Sequence, residues 1–175
     1  RSAGVERPAR IQPADAGGGN HRLDLYPMNQ RVERELLWAS MAAILEIKGS
    51  ISLCRRGGNF TAKVKAWLPA RLRPWVERTL DTLGIEVVRF DPWRGGAQLR
   101  VEGRHAAQLV AGCFSHFPSD RRKQEARQLF RVSRTVGRGQ VRITEEVRRE
   151  RESAYMVLRR MHAAARERRF AKVAQ

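Results

Sequence analysis

The sequence has 175 residues, enough for one globular domain with tails, and 42% of them are hydrophobic, enough for a real core. Lys and Arg number 35 against 18 Asp and Glu, a net charge of +17. Charge of this size opposes compaction by self-repulsion unless a polyanion neutralises it, which points to nucleic acid. No apolar run reaches the ~18 residues of a membrane-spanning helix, so none is expected.

Residues 1 to about 27 carry Pro8, Pro13, Gly17, Gly18, Gly19 and Pro27 with little apolar periodicity, and read as an extended basic tail over 1–28. Such a tail becomes ordered only against partners, which points to a large assembly. The stretch starts at Arg1, bears arginines and is poor in acids, as expected of the remnant of an organellar transit segment.

From Asn29, Val32, Leu36, Leu37, Met41, Ile44 and Leu45 recur at helical spacings, and Gly49 stops the helix. Residues 51–55 and 60–68 read as strands around a Gly57-Gly58-Asn59 turn. In the second strand Phe60, Ala62, Val64, Ala66 and Leu68 face one way, and Thr61, Lys63, Lys65 and Trp67 the other. A helix over 70–83 ends at Gly84, and strands over 85–91 and 97–102 flank a Pro92-to-Gly96 turn. Helices follow over about 104–117 and, capped by Ser119, to about Val132. After a break at Gly137 and Gly139, Thr144 caps a long helix to about Lys172, with Glu145 and Glu146 where the helix dipole favours acids. Its apolar residues are sparse and its other faces rich in arginine, so it reads as an appended arm outside the core. The expected organisation is thus a tail over 1–28, a domain over 29–136 and an arginine-rich helix over 137–175.

Thirty of the basic residues are arginine and five are lysine. Arginine suits forked phosphate contacts and stacking on bases, although arginine-rich codon usage accounts for part of the excess. Cys54 and Cys113 form no CxxC pair and have no neighbouring histidine, so no zinc site or other cofactor is expected; a disulfide is possible, and buried free thiols fit better. His105, His116 and His162 have no evident acid or nucleophile partner and are not assigned to catalysis.

The order helix, hairpin, helix, hairpin, helix, helix over about 29–132 resembles the αββαββα plan of the LAGLIDADG homing endonucleases. The run Met41-Ala42-Ala43-Ile44-Leu45-Glu46-Ile47-Lys48-Gly49-Ser50-Ile51 resembles that family's signature helix followed by serine-isoleucine. Leu83-Gly84-Ile85 resembles its turn into the third strand, and Pro118-Ser119-Asp120-Arg121-Arg122-Lys123-Gln124 its lysine-glutamine segment. The resemblance implies an α+β fold with a four-stranded antiparallel curved sheet that clamps nucleic acid. It also implies a metal-holding acid at the last position before the glycine, where this sequence has Lys48. An ammonium cannot ligate magnesium, so no catalytic residue and no metal site are expected. Glu46 matches the signature's other acid but is turned to a different helix face. A register in which Glu46 is the catalytic acid is disfavoured by Gly49-Ser50-Ile51.

The same resemblance places a binding surface on the polar sheet face and the helix ends. Lys48, Arg55, Arg56, Lys63, Lys65, Arg94 and Arg100 are candidate phosphate contacts. Trp67 and Trp93 are candidates for stacking on unpaired bases, against the alternative of packing in a small secondary core. Arg121, Arg122, Lys123, Arg148, Arg149, Arg159 and Arg160 complete the candidate set, with solvated helix faces as the alternative.

Single-signature relatives pair across that helix, but Trp38 and the arginine arms suit a foreign partner. The expected role is a structural RNA-binding component of a large ribonucleoprotein, above all an organellar ribosome, mitochondrial or else chloroplast. Its partners would be rRNA and neighbouring proteins, without membrane or small-molecule substrate. An organellar intron-splicing factor or maturase is the alternative. An active DNA endonuclease and a DNA-binding regulator stand behind it.

Overall fold

The computed structural model describes residues 26–56, 59–86, 88–134 and 143–173. The tail over 1–28, the Gly57-Gly58 turn and the break at Gly137 and Gly139 lie wholly or largely outside the described residues.

The helical spacing read from Asn29 onward becomes α1, Tyr26–Lys48, which starts earlier because Pro27 is tolerated in a first turn that needs no intrahelical donor. Met41, Ala42 and Leu45 are fully buried, whereas Val32, Leu36 and Ile47 stay exposed on another face. Trp38, expected to serve a foreign partner, packs against the core instead. α1 passes into β1, Gly49–Arg56, with no linker. A Cβ on Gly49 would lie 2.6 Å from the Leu45 carbonyl oxygen, so the junction needs glycine. Gly49→Ala is expected to cost about 1–3 kcal/mol through this overlap with fixed backbone, read as a lower urea midpoint at unchanged slope.

β2, Asn59–Pro69, alternates buried and half-buried along its length, as its sequence alternates. β3, Val88–Trp93, and β4, Gly96–Glu102, close on a two-residue turn of Arg94 and Gly95, both at positive φ, which matches the twist of the hairpin. This hairpin is tighter than the five-residue turn read from the sequence. Pro92 sits inside β3, where an edge strand tolerates a missing donor. β3 also starts later than the expected residue 85. Gly84 ends the preceding helix at φ 70°, and Ile85 donates to the Leu80 carbonyl and is buried in the turn instead of pairing.

The sheet is antiparallel in the order β1-β2-β4-β3. Its apolar face is covered by α1, by α2 (Arg73–Thr82, after a 3₁₀ turn Ala70–Leu72), by α3 (Gly103–Cys113, with a 3₁₀ turn Phe114–His116) and by α4 (Asp120–Arg134). The caps form as expected. Ser119 Oγ accepts from the Arg122 backbone N–H at 3.2 Å, and Thr144 Oγ1 from that of Val147 at 3.3 Å.

The largest departure is α5, Glu145–Val173, which is not a detached arm. Ala154 and Leu158 are fully buried and belong to the core, and the Tyr155 ring lies 5.6 Å from that of Phe60. Burying one such leucine stabilises by about 1.5–3 kcal/mol. Two apolar residues one turn apart suffice to dock a helix that is otherwise polar, and they are too few to register as an amphipathic stripe. No helix among the described residues is long and apolar enough to cross a membrane.

Candidate nucleic-acid interface

Strand alternation sends every second residue of the sheet away from the helices, and the antiparallel register sets those residues side by side. Ser50 of β1 pairs with Lys65 of β2, Lys65 with Arg100 of β4, and Arg100 with Arg89 of β3. Three cations thus stand in one row across three strands, an arrangement that is destabilising without a counter-charge. Asp91 offsets part of it, 3.0 Å from Arg100. The next row places Trp67 opposite Gln98.

This polar face is the floor of a trough of about 730 Å³. Lys48 at the end of α1, Lys63, Lys65 and Trp67 of β2, Arg121 of α4 and Arg166 of α5 line it, with Ser50, Ser52, Cys54, Gln98 and His162 between them. No aspartate or glutamate is among its lining residues. Lys63 is paired with Glu102 at 2.7 Å and Arg121 with Glu125 at 3.0 Å. Lys48, Lys65 and Arg166 make no ion pair with a carboxylate among the described residues. The Lys48 ammonium lies 5.5 Å from the centroid of the Trp67 ring, and it also sits where a helix C-terminus favours positive charge.

Of the candidates read from the sequence, Lys48, Lys63, Lys65, Trp67 and Arg121 converge on this trough, and Arg100 lies on the same face beside it. Trp93, half exposed at the β3–β4 turn and stacked with Arg94 at 5.5 Å, lies at the far corner of that face. Arg55 is at the other end of β1, held 3.2 Å from Glu152 of α5. The Arg56 side chain lies outside the described residues. Lys123 is half-buried on α4, Arg159 lies over the Tyr155 ring at 6.0 Å, and Arg160 is exposed on α5. Arg148 and Arg149 pair with Glu145 within the first turns of α5.

Arg122 departs from the expectation. It is 5% exposed and is no part of the outer surface. Its guanidinium donates to Glu125 Oε2 at 2.6 Å and to the backbone carbonyls of Glu46 and Gly49, where α1 leaves carbonyls without intrahelical partners. It is a strut between α4 and the α1–β1 junction. Glu125, fully buried, also accepts from Arg121, and His162 of α5 lies 3.6 Å from its Oε1. Burial pushes the Glu125 carboxyl up, but His162 and the Arg122 and Arg121 charges outweigh it and hold it below its ordinary range. Glu46 faces α4, where Ser119 Oγ donates to its Oε1 at 2.7 Å, and it does not border the trough.

Two histidines therefore have acidic neighbours that the sequence did not disclose. His162 faces Glu125, and His116 lies 3.0 Å from Glu35. The sequence reading also missed Arg89, which only strand register places beside Arg100, and Arg166, which only the docking of α5 brings to the trough. Both cysteines are free thiols. Cys113 is buried, and burial pushes its thiol up to about 12. Cys54 is half-buried on the trough wall. Native-state alkylation is therefore expected to modify Cys54 first and leave Cys113 intact, because thiolate character and access govern the rate. A polyanion in the trough slows the Cys54 reaction, which peptide mapping with and without nucleic acid reads directly.

No protein-family model and no curated protein matches the sequence. Solved structures do match the fold. The homing endonuclease I-TnaI aligns over 74% of this chain and 96% of its own, with a TM-score of 0.50 and 15% identity. The LAGLIDADG meganuclease I-AabMI, bound to uncleaved DNA, aligns over 68% of this chain at a TM-score of 0.53 and 11% identity. This chain spans 43% of that protein's length.

Proposed function

We propose that this LAGLIDADG-type fold binds nucleic acid without cutting it, and serves as a structural RNA-binding component of a large ribonucleoprotein, an organellar ribosome in the first instance. The observation that carries the reading is the cationic row Lys65, Arg100 and Arg89 beside a trough with no acidic lining residue. Phosphates are the ligand that relieves such a row, and their contacts confer affinity without sequence preference.

The donor set argues against metal-dependent hydrolysis. The resemblance places a metal-holding carboxylate at the end of α1, and that position is Lys48. The groups beside it are Ser50, Lys63 and Lys65, while the Glu46 carboxylate is directed to Ser119. A site of ammonium groups repels a divalent cation and attracts the phosphate itself.

Sedimentation of organelle or cell lysate through a sucrose gradient tests the role. Stoichiometric migration with one ribosomal subunit, retained at about 0.3 M salt where loose electrostatic binders dissociate, is the expected result. Migration at the top of the gradient or with a small complex overturns it. Sequencing of the bound nucleic acid then separates an intron-splicing factor from a DNA-binding regulator. A specific product in a magnesium-dependent cleavage assay would restore the endonuclease reading.

A further inference from the structure

The cationic floor does not lie on an open sheet. Ala154 and Leu158 anchor α5 in the core, and Tyr155 packs on Phe60 of the sheet's apolar side. One to two turns further on, His162, Ala165 and Arg166 stand beside the polar side of β1. The helix therefore runs beside the outer edge of β1 and borders the trough along that strand. The end of α1, at Ile47 and Lys48, forms a second wall.

This wall bears on what can enter. A sheet that reads duplex nucleic acid must descend between two phosphate ridges. The major groove of B-form DNA is about 12 Å wide and admits one helix or a two-stranded ribbon. An α-helix alone is about 10–12 Å across, and each further strand adds about 5 Å. A helix along the β1 edge adds its own breadth to the β1–β2 ribbon and narrows the approach of a duplex from that side. A-form RNA is less accessible still, because its major groove is deep and narrow. A flexible single strand has no second ridge and can descend into the trough.

We infer, building on the RNA-binding reading above, that the trough takes an unpaired RNA strand, with a base stacked on Trp67 and the flanking phosphates held by Lys48, Lys65 and Arg166. Its volume of about 730 Å³ accommodates a short stretch of nucleotides. Gln98, opposite Trp67 in the sheet, brings an amide donor and an acceptor to the base edge. At the β3 side of the same face Arg89 and Trp93 are exposed and open to duplex backbone.

The test is fluorescence anisotropy on the full chain, with labelled oligouridine of about 12 nucleotides and duplex RNA and duplex DNA of equal length, in about 0.15 M salt. The single strand is expected to bind at least about tenfold tighter than either duplex. Trp67→Ala is expected to weaken the single strand about tenfold and leave duplex affinity unchanged, with Trp67→Phe recovering most of the loss. Circular dichroism confirms that both variants fold. Duplex binding as tight as single-strand binding, or a Trp67→Ala variant with undiminished single-strand affinity, overturns the inference and leaves the RNA-binding reading in place. Binding of none of the three probes overturns that reading itself.

Discussion

Lys48→Glu combined with Lys65→Glu is expected to weaken RNA binding by about 10–100-fold at physiological salt and to flatten its salt dependence. Each phosphate contact with a single strand contributes about 0.7 to the slope of log K against log salt, so loss of two lowers it by about 1.4. Both lysines line the trough, and neither makes an ion pair with a carboxylate among the described residues. The change therefore removes ligand contacts without breaking an ion pair. Its two halves act oppositely on stability. Lys65→Glu relieves the like-charge pair with Arg100, worth about 0.2–1 kcal/mol, whereas Lys48→Glu gives up the contact with Trp67 and the favourable charge at the end of α1. The double variant should therefore melt near the parent while binding RNA poorly, the signature of a surface kept for its ligand. Unchanged affinity and slope would place the RNA elsewhere, on the α5 arginines or the β3–β4 turn. Arg55→Glu, at the far end of β1, is the control and should leave both nearly as they are.

Glu125→Ala is expected to cost about 3–5 kcal/mol, the usual penalty for removing one partner of a buried ion pair. Arg122 would remain 5% exposed with only the Glu46 and Gly49 carbonyls to hold it, and α5 would lose the acid that faces His162. The same carboxylate makes the fold acid-sensitive, with a definite sign. Its folded pKa is lowered from the ordinary 4.5. Protonation is thus disfavoured in the folded state, and the stabilisation is fully present above about pH 4.5. It is lost as pH falls through the lower, folded value. Urea unfolding at pH 7 and again below pH 4.5 measures it. The parent chain should lose stability across that interval more steeply than Glu125→Gln, which cannot titrate. Equal slopes for the two would remove Glu125 from the acid response.

The two variants separate what the strong positive charge hides. Arg121 and Arg122 are adjacent in the same basic run, yet one borders the trough and the other is buried. In sequence both are arginines at a helix start. Their difference arises because α4 turns Arg122 inward, toward the carbonyls at the end of α1, and Glu125 is within reach three residues on. A charge run therefore indicates a basic element without saying which of its members meet a ligand.

Much of the fold was legible because it rests on local rules. Period-two alternation in β2, three- and four-residue spacing in α1, Gly49 and Gly84 as helix ends, and Ser119 and Thr144 as caps are written in neighbouring residues. They settled the element order, and with it the α+β class, the polar face of β2 and the position of Lys48. The register that aligns Lys65, Arg100 and Arg89 is a long-range pairing, which hydrophobic pattern and turn geometry set jointly. The docking of α5 depends on a few apolar residues meeting a gap beside β1 and α4. That gap exists only after the domain has folded, so a sparse pattern read as a free arm. Sequence by itself thus determined a basic αββαββα domain and the place of Lys48 at the end of its first helix. Tertiary structure alone decided that the C-terminal helix walls the cationic face into a trough, because burial of Ala154 and Leu158 outweighs the pull of so many arginines toward water.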